Sequence, residues 1–208
     1  MTPALFAPTL PIAWAVSSAA LDGAAESGDL HVVVPCAQTV LVAAIDGIGH
    51  GPEAALAARV AAAVLVQHAE EPLIPLMQRC HEELRRTRGV VLSMASFDLR
   101  RSTMTWLGVG NVEGALFRAN RFADPPRDSL VVRGGVVGYQ IPSLRAAECP
   151  VEAGDVLVFA TDGVRSDFAS YSPLGRDIQE TTDAMLACYG KQTDDALVFA
   201  ARYLGRLP

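Results

Sequence analysis

The chain has 208 residues, of which 50% are hydrophobic and 19% charged, and its net charge is -6. This length suits one domain with a substantial core, and the acidic balance excludes the clustered Lys and Arg that a nucleic-acid binder needs. No apolar run long enough to span a membrane escapes interruption by Pro, Gly or charge.

Residues 12–20 are apolar but lack a basic leader and follow Pro3, Pro8 and Pro11, so a first core strand, Ile12–Ala19, is expected there, not a signal peptide. Residues 30–34 and 40–45 read as strands separated by the turn-like LDGAAESGD and PCAQ. Pro52 and Glu53 then open a helix whose apolar spacing runs through residues 54–66. A second helix, about 73–86 after Pro72, ends in RRTR, read as a solvated helix end. Residues 90–99, 102–108 and 113–118 predict three strands joined by RRS and VGN turns as an antiparallel meander. Residues 121–129 are expected as a loop, with weaker strands at 130–133 and 144–149 around the glycine-rich GGVVGYQIP. Gly154-Asp155 turns into a strand at Val156–Ala160, a helix follows at about 175–188, and the last strand is Ala196–Tyr203. Strands, two helices, more strands, a helix and a final strand predict a single α+β layered domain over residues 1–208.

Cys36, Cys80, Cys149 and Cys188 form no CxxC pair, so neither a zinc knuckle nor a redox motif is suggested. They are expected to be reduced, mostly buried thiols of a cytoplasmic protein. Trp14, Trp106 and the phenylalanines are expected in the core, and His31, His68 and His81 in structural roles.

DGIGHG, residues 46–51, is a strand-to-helix elbow with three possible uses. A dinucleotide turn is not matched, because Gly47, Gly49 and Gly51 read GxGxG and Pro52 replaces the third fingerprint glycine. A histidine-kinase-like ATP site needs an upstream helical Asn, and the only asparagines, Asn111 and Asn120, lie downstream. A site for a hard divalent cation, with a carboxylate at a strand end beside a backbone carbonyl, predicts similar aspartates elsewhere. They occur: Asp29 in ESGD, Asp46, Asp162 in TDG and Asp194 in TDD all lie at strand ends. Each alone reads as a turn or cap residue; together they can converge on one edge of a two-sheet fold.

In order, ESGD, VAAIDGIGHGPEAALAA, MTWLGVGNVEGALFR, VEAGDVLVFATDGV and TDDALVFAAR resemble the metal-dependent type-2C (PPM) serine/threonine phosphatases, in their short SpoIIE-like branch, over nearly the whole chain. The resemblance implies a four-layer αββα sandwich of two mainly antiparallel sheets flanked by helices. It also implies a phosphoserine/phosphothreonine phosphatase using Mn2+ or Mg2+, two ions in all. Its partners would be phosphorylated stressosome-scaffold or anti-sigma-antagonist proteins, with no nucleic acid, no membrane and a monomeric enzyme. Residue by residue, it implies that Asp46 bridges the ions, the Gly47 carbonyl binds one, Asp162 and Asp194 are further ligands, and Asp29 binds directly or through water. Two positions depart from the family pattern. The phosphate-gripping Arg near the N-terminus is missing, and His50, the candidate catalytic acid, lies beyond Gly49, which leaves it either a proton donor or a structural residue of the helix entry. The competing expectation is a catalytically weak type-2C-fold binding module, against which four mutually repelling carboxylates weigh.

Overall fold

Alternation of inward and outward side chains builds the central layers, and the computed structural model describes residues 11–21 and 26–205. One sheet runs β2 (Asp29–Pro35), β3 (Thr39–Gly47), β4 (Val90–Asp98), β5 (Thr103–Val109) and β8 (Ala147–Pro150). The other runs β1 (Ile12–Ala19), β10 (Ala196–Tyr203), β9 (Val156–Ala160), β6 (Glu113–Phe117) and β7 (Arg127–Ser129). All their pairings are antiparallel.

Along β3, Val40, Val42 and Ala44 pack between the sheets, whereas Leu41, Ala43 and Ile45 face the opposite way. Those outward residues meet α1 (Pro52–Gln67) and α2 (Leu73–Glu83) through Ala57, Ala58, Ala61 and Leu76. On the second sheet, Leu157, Phe159, Leu197 and Phe199 point inward, and Val158, Val198 and Ala200 pack with α3 (Ile178–Tyr189) through Met185. The result is helices, sheet, sheet, helix, the expected αββα layering. Small alanines on the buried side of α1 let the helix approach the sheet closely, so its first turn presses on the end of β3.

Several expectations change in three dimensions. The predicted meander breaks after β5, because β6 leaves that sheet to pair with β9 and β7. Gly110 makes the crossing: its φ is +101, and an added Cβ would stand 2.1 Å from Val91 Cγ1. Residues 127–129, expected as loop, form the edge strand β7, stapled by an ion pair between Arg118 and Asp128. Residues 130–133 form no strand, making instead an isolated bridge from Arg133 to Val109 and a hydrogen bond from Leu130 N to Gly114 O, and β8 is confined to Ala147–Pro150. The helix predicted from 175 begins at Ile178, since Asp177 caps it by accepting from Gln179 N and Glu180 N. The RRTR end is not simply solvated: Arg88 pairs with Glu53 of α1. The cysteines are all free, but only Cys80 is buried and Cys188 is exposed. Trp106 is core, whereas Trp14 is 39% exposed and Phe122, at a loop tip, 93% exposed. Of the predicted turn at 21–29, residues 22–25 lie outside the described residues, as do Pro3 and Pro8 and the last three residues of the 1–208 span. No helix among the described residues is long and apolar enough to cross a membrane.

Candidate active site

The strand alternation that fills the core also delivers the acidic residues. Asp29 and Asp46 are direct partners in the β2–β3 ladder, so their side chains lie on the same face. That face is the inward one, because Asp46 is two residues beyond Ala44 and Asp29 two before His31 and four before Val33. On the facing sheet, Thr161 and Asp195 continue the inward rows of Phe159 and Leu197. The two sheets therefore end together in a polar edge.

Thr161 spans the seam, donating from Oγ1 to Asp29 Oδ2 at 2.8 Å while accepting from Leu197 N at 2.8 Å. Asp195 is buried and accepts from Gly28 N at 2.6 Å and Leu21 N at 2.8 Å, tying the chain before β2 to the start of β10. Asp194 is exposed instead, and with Asp46, Asp162 and His50 it lines a cleft of about 510 Å³. Within the TDD pair, one aspartate is thus engaged by backbone amides and the other faces the cleft. Asp29, beside Asp46 in the ladder, does not line the cleft, and the Gly47 carbonyl lies toward Gly28. Among the described residues no three His, Cys, Asp or Glu side chains already close around one point; the acids ring the cleft.

Both Asp-Gly corners require their glycine for steric reasons. A Cβ on Gly47 would stand 2.2 Å from Ala54 O of α1, and one on Gly163 1.8 Å from Asp195 O. In the elbow itself, Gly49 and Gly51 have φ of +89 and +78, a region favouring glycine. The chain can then turn sharply from β3 into Pro52, with His50 exposed on the cleft wall.

Burial pushes the Asp46 carboxyl up to about 8, helped by the charges of Asp29, Asp162, Asp194 and Asp195. Burial likewise pushes Asp29 up to about 7, against the hydrogen bond from Thr161. Such a pair resists ionisation at neutral pH until positive charge is supplied. The donors are all oxygen and the charge is negative, which fits a hard divalent cation such as Mn2+ or Mg2+.

Four participants escaped sequence reasoning. Asn111 Nδ2 donates to Asp162 Oδ2 at 2.8 Å, and Lys191 Nζ to Asp162 O at 2.7 Å. Thr161 and Asp195 are the others. The TDG and TDD motifs contain these last two, but only the pairing of β9 with β10 shows which neighbours do structural work. The unread glycine-rich segment supplies Gly134, Gly135 and Val136 to the cleft wall. His81, expected as structural, accepts from Gly138 N at 3.0 Å and holds that segment on α2. His31 lies against Trp14 and Phe199, and His68 beside Glu71.

Known proteins are similar to this chain in sequence and fold. The phosphoserine phosphatase RsbX of Bacillus subtilis (strain 168) is 21% identical over 175 residues, 84% of this chain and 86% of that protein. The crystal structure of RsbX with magnesium matches with a TM-score of 0.80 at 20% identity, over 92% of this chain and 94% of that one. A chain from a structure of the bacterial stressosome matches with a TM-score of 0.82 at 28% identity, over 92% and 99%. The catalytic domain of the serine/threonine protein phosphatase PstP with two manganese ions matches at 0.66 with 14% identity, over 93% and 98%. The two facing sheets and their outer helices are thus the type-2C phosphatase fold. The model of Stage II sporulation protein E (SpoIIE) matches residues 37–204, a span that holds both Asp-Gly corners, and the chain belongs to the SpoIIE family.

Proposed function

We propose that the chain is a single-domain, divalent-metal-dependent protein serine/threonine phosphatase that acts on phosphorylated stress-signalling proteins of the stressosome-scaffold or anti-sigma-antagonist type. One observation carries this reading: aspartates from both sheets meet at one cleft, with two carboxyls too buried to ionise comfortably without a cation. Family membership supports it, as does the likeness to RsbX, a phosphoserine phosphatase crystallised with magnesium.

Asp46, Asp162 and Asp194, with the Gly47 carbonyl and with Asp29 directly or through water, would hold Mn2+ or Mg2+. When bound, such ions acidify a water and offset the charge of the phosphoryl oxygens. The chain's own contribution is to hold the ligands. Thr161 orients Asp29, Asn111 orients Asp162, and the two corner glycines let the flanking backbone close on the carboxylates. His50, exposed on the cleft wall, would protonate the departing serine or threonine oxygen.

The test is hydrolysis of p-nitrophenyl phosphate by protein stripped with EDTA and then given Mn2+ or Mg2+, with Asp46→Asn and Asp162→Asn alongside. Activity should return with metal and drop by roughly a thousandfold in either variant, about 4 kcal/mol of barrier. Full metal-restored activity in Asp46→Asn would sink the site assignment. Metal binding with no turnover of a phosphorylated partner protein would favour the binding module.

A further inference from the structure

We infer a second binding site, an arginine-lined cleft for an acidic segment of a partner protein, at the end of the molecule opposite the aspartates. Arg121, Arg176 and Arg202 line a cleft of about 630 Å³ with Ala119, Gly154 and Leu174. Arg202 is seven residues along β10 from Asp195, roughly 23 Å at the rise of an extended strand. An occupant there leaves the catalytic cleft open.

Three guanidinium groups share one cleft in a chain of net charge -6. No carboxylate lines the cleft, and among the described residues none of the three arginines makes an ion pair. The two carboxylates directly adjacent in the chain to residues lining the cleft are engaged elsewhere. Asp155 takes Arg118 at 3.2 Å and Ala119 N at 2.7 Å, and Asp177 caps α3. Internal contacts preorganise two of the cations: Arg202 donates to Arg176 O, and the Arg176 guanidinium lies 5.4 Å from the centre of the Tyr171 ring. Positive charge held together without a counterion is an attractive field for an anion.

The surroundings favour a peptide over a lone small anion. Phe122, next to Arg121, is 93% exposed, and Leu204, two residues beyond Arg202, is 48% exposed. Guanidinium forks match carboxylates in bidentate geometry, and the exposed Phe122 ring and Leu204 side chain, close to Arg121 and Arg202 along the chain, offer an apolar anchor. A segment mixing glutamate or aspartate with a bulky apolar residue satisfies both.

The experiment is fluorescence anisotropy of a fluorescein-labelled peptide alternating glutamate and leucine, titrated with the full-length protein. Arg121→Glu, whose side chain makes no ion pair among the described residues, should weaken binding by roughly tenfold. Added NaCl should weaken the wild type as well, and p-nitrophenyl phosphate turnover should stay at the wild-type level in Arg121→Glu. If Arg121→Glu melts at a lower temperature than wild type, Arg202→Gln replaces it with the same expected loss. No peptide binding by wild type, or equal binding by the variants, overturns the inference. Displacement of the peptide by an equal concentration of inorganic phosphate overturns it too, since the site would then be one for small anions.

Discussion

Asp46-Gly47 ends β3 and Asp162-Gly163 follows β9, so each sheet contributes one Asp-Gly corner to the cleft. The glycines do the same job, admitting foreign backbone where a Cβ would collide: α1 at Gly47, the lead-in to β10 at Gly163. The carboxylates differ. Asp46 faces Asp29 across one ladder, and burial lifts it to about 8. Asp162 is half-buried, its side chain held by Asn111 and its carbonyl by Lys191. Identical dipeptides thus give one corner whose buried carboxyl resists ionisation and one whose aspartate is held by hydrogen bonds.

The steric half of this pairing is the easiest to break. Gly163→Ala should destabilise the protein by roughly 3 kcal/mol, because its clash is with backbone and not with a yielding side chain. Gly47→Ala should follow closely. Urea unfolding measures both, and losses near zero would mean that the corners relax freely.

The electrostatic half is read in the pH dependence of the metal-free protein. Asp46 and Asp29 have folded values raised to about 8 and about 7 from an ordinary 3.8. Their contribution to stability is therefore fully present below about pH 4 and is lost as pH rises toward 8. The melting temperature in EDTA should fall between about pH 5 and about pH 8.5, and Mn2+ should restore it at the alkaline end. Asp46→Asn, which cannot ionise, should flatten the fall. A wild-type curve as flat as that of the variant would show that Asp46 is not the charged, desolvated corner.

A smaller effect sharpens the contrast. Asn111→Ala should lower kcat by roughly fivefold, about 1 kcal/mol, and raise the metal concentration needed for half activity while leaving the melting temperature nearly unchanged. Here Asn111 acts as a positioning residue through Asp162. An unchanged metal requirement would remove it from that role.

Much of this edge was legible beforehand because its residues stand where two local rules meet. The spacing of apolar residues predicted β1, β9 and β10 at their observed bounds, and the Asp-Gly and TDD signals lay at the ends of such strands. Less could be read where a residue's role depends on a distant neighbour. Asp194 and Asp195 are adjacent and chemically identical, yet only folding turns Asp195 to the amides of Leu21 and Gly28 and leaves Asp194 on the cleft. Arg127–Ser129 is polar and short, and becomes a strand only because β6 offers it an edge. Arg121, Arg176 and Arg202 lie far apart in the chain, and no periodicity links them.

By itself the sequence determined the layered α+β class, the strand ends bearing acids and the two glycine corners, since alternation, capping and turn chemistry act over a few residues. The tertiary structure alone decided that β6 changes sheets, that Thr161 locks Asp29 from across the seam, and that three arginines share a cleft. Those outcomes depend on which strand lies beside which, and that choice is made by burying the shared core between the sheets, not by any local stretch of chain.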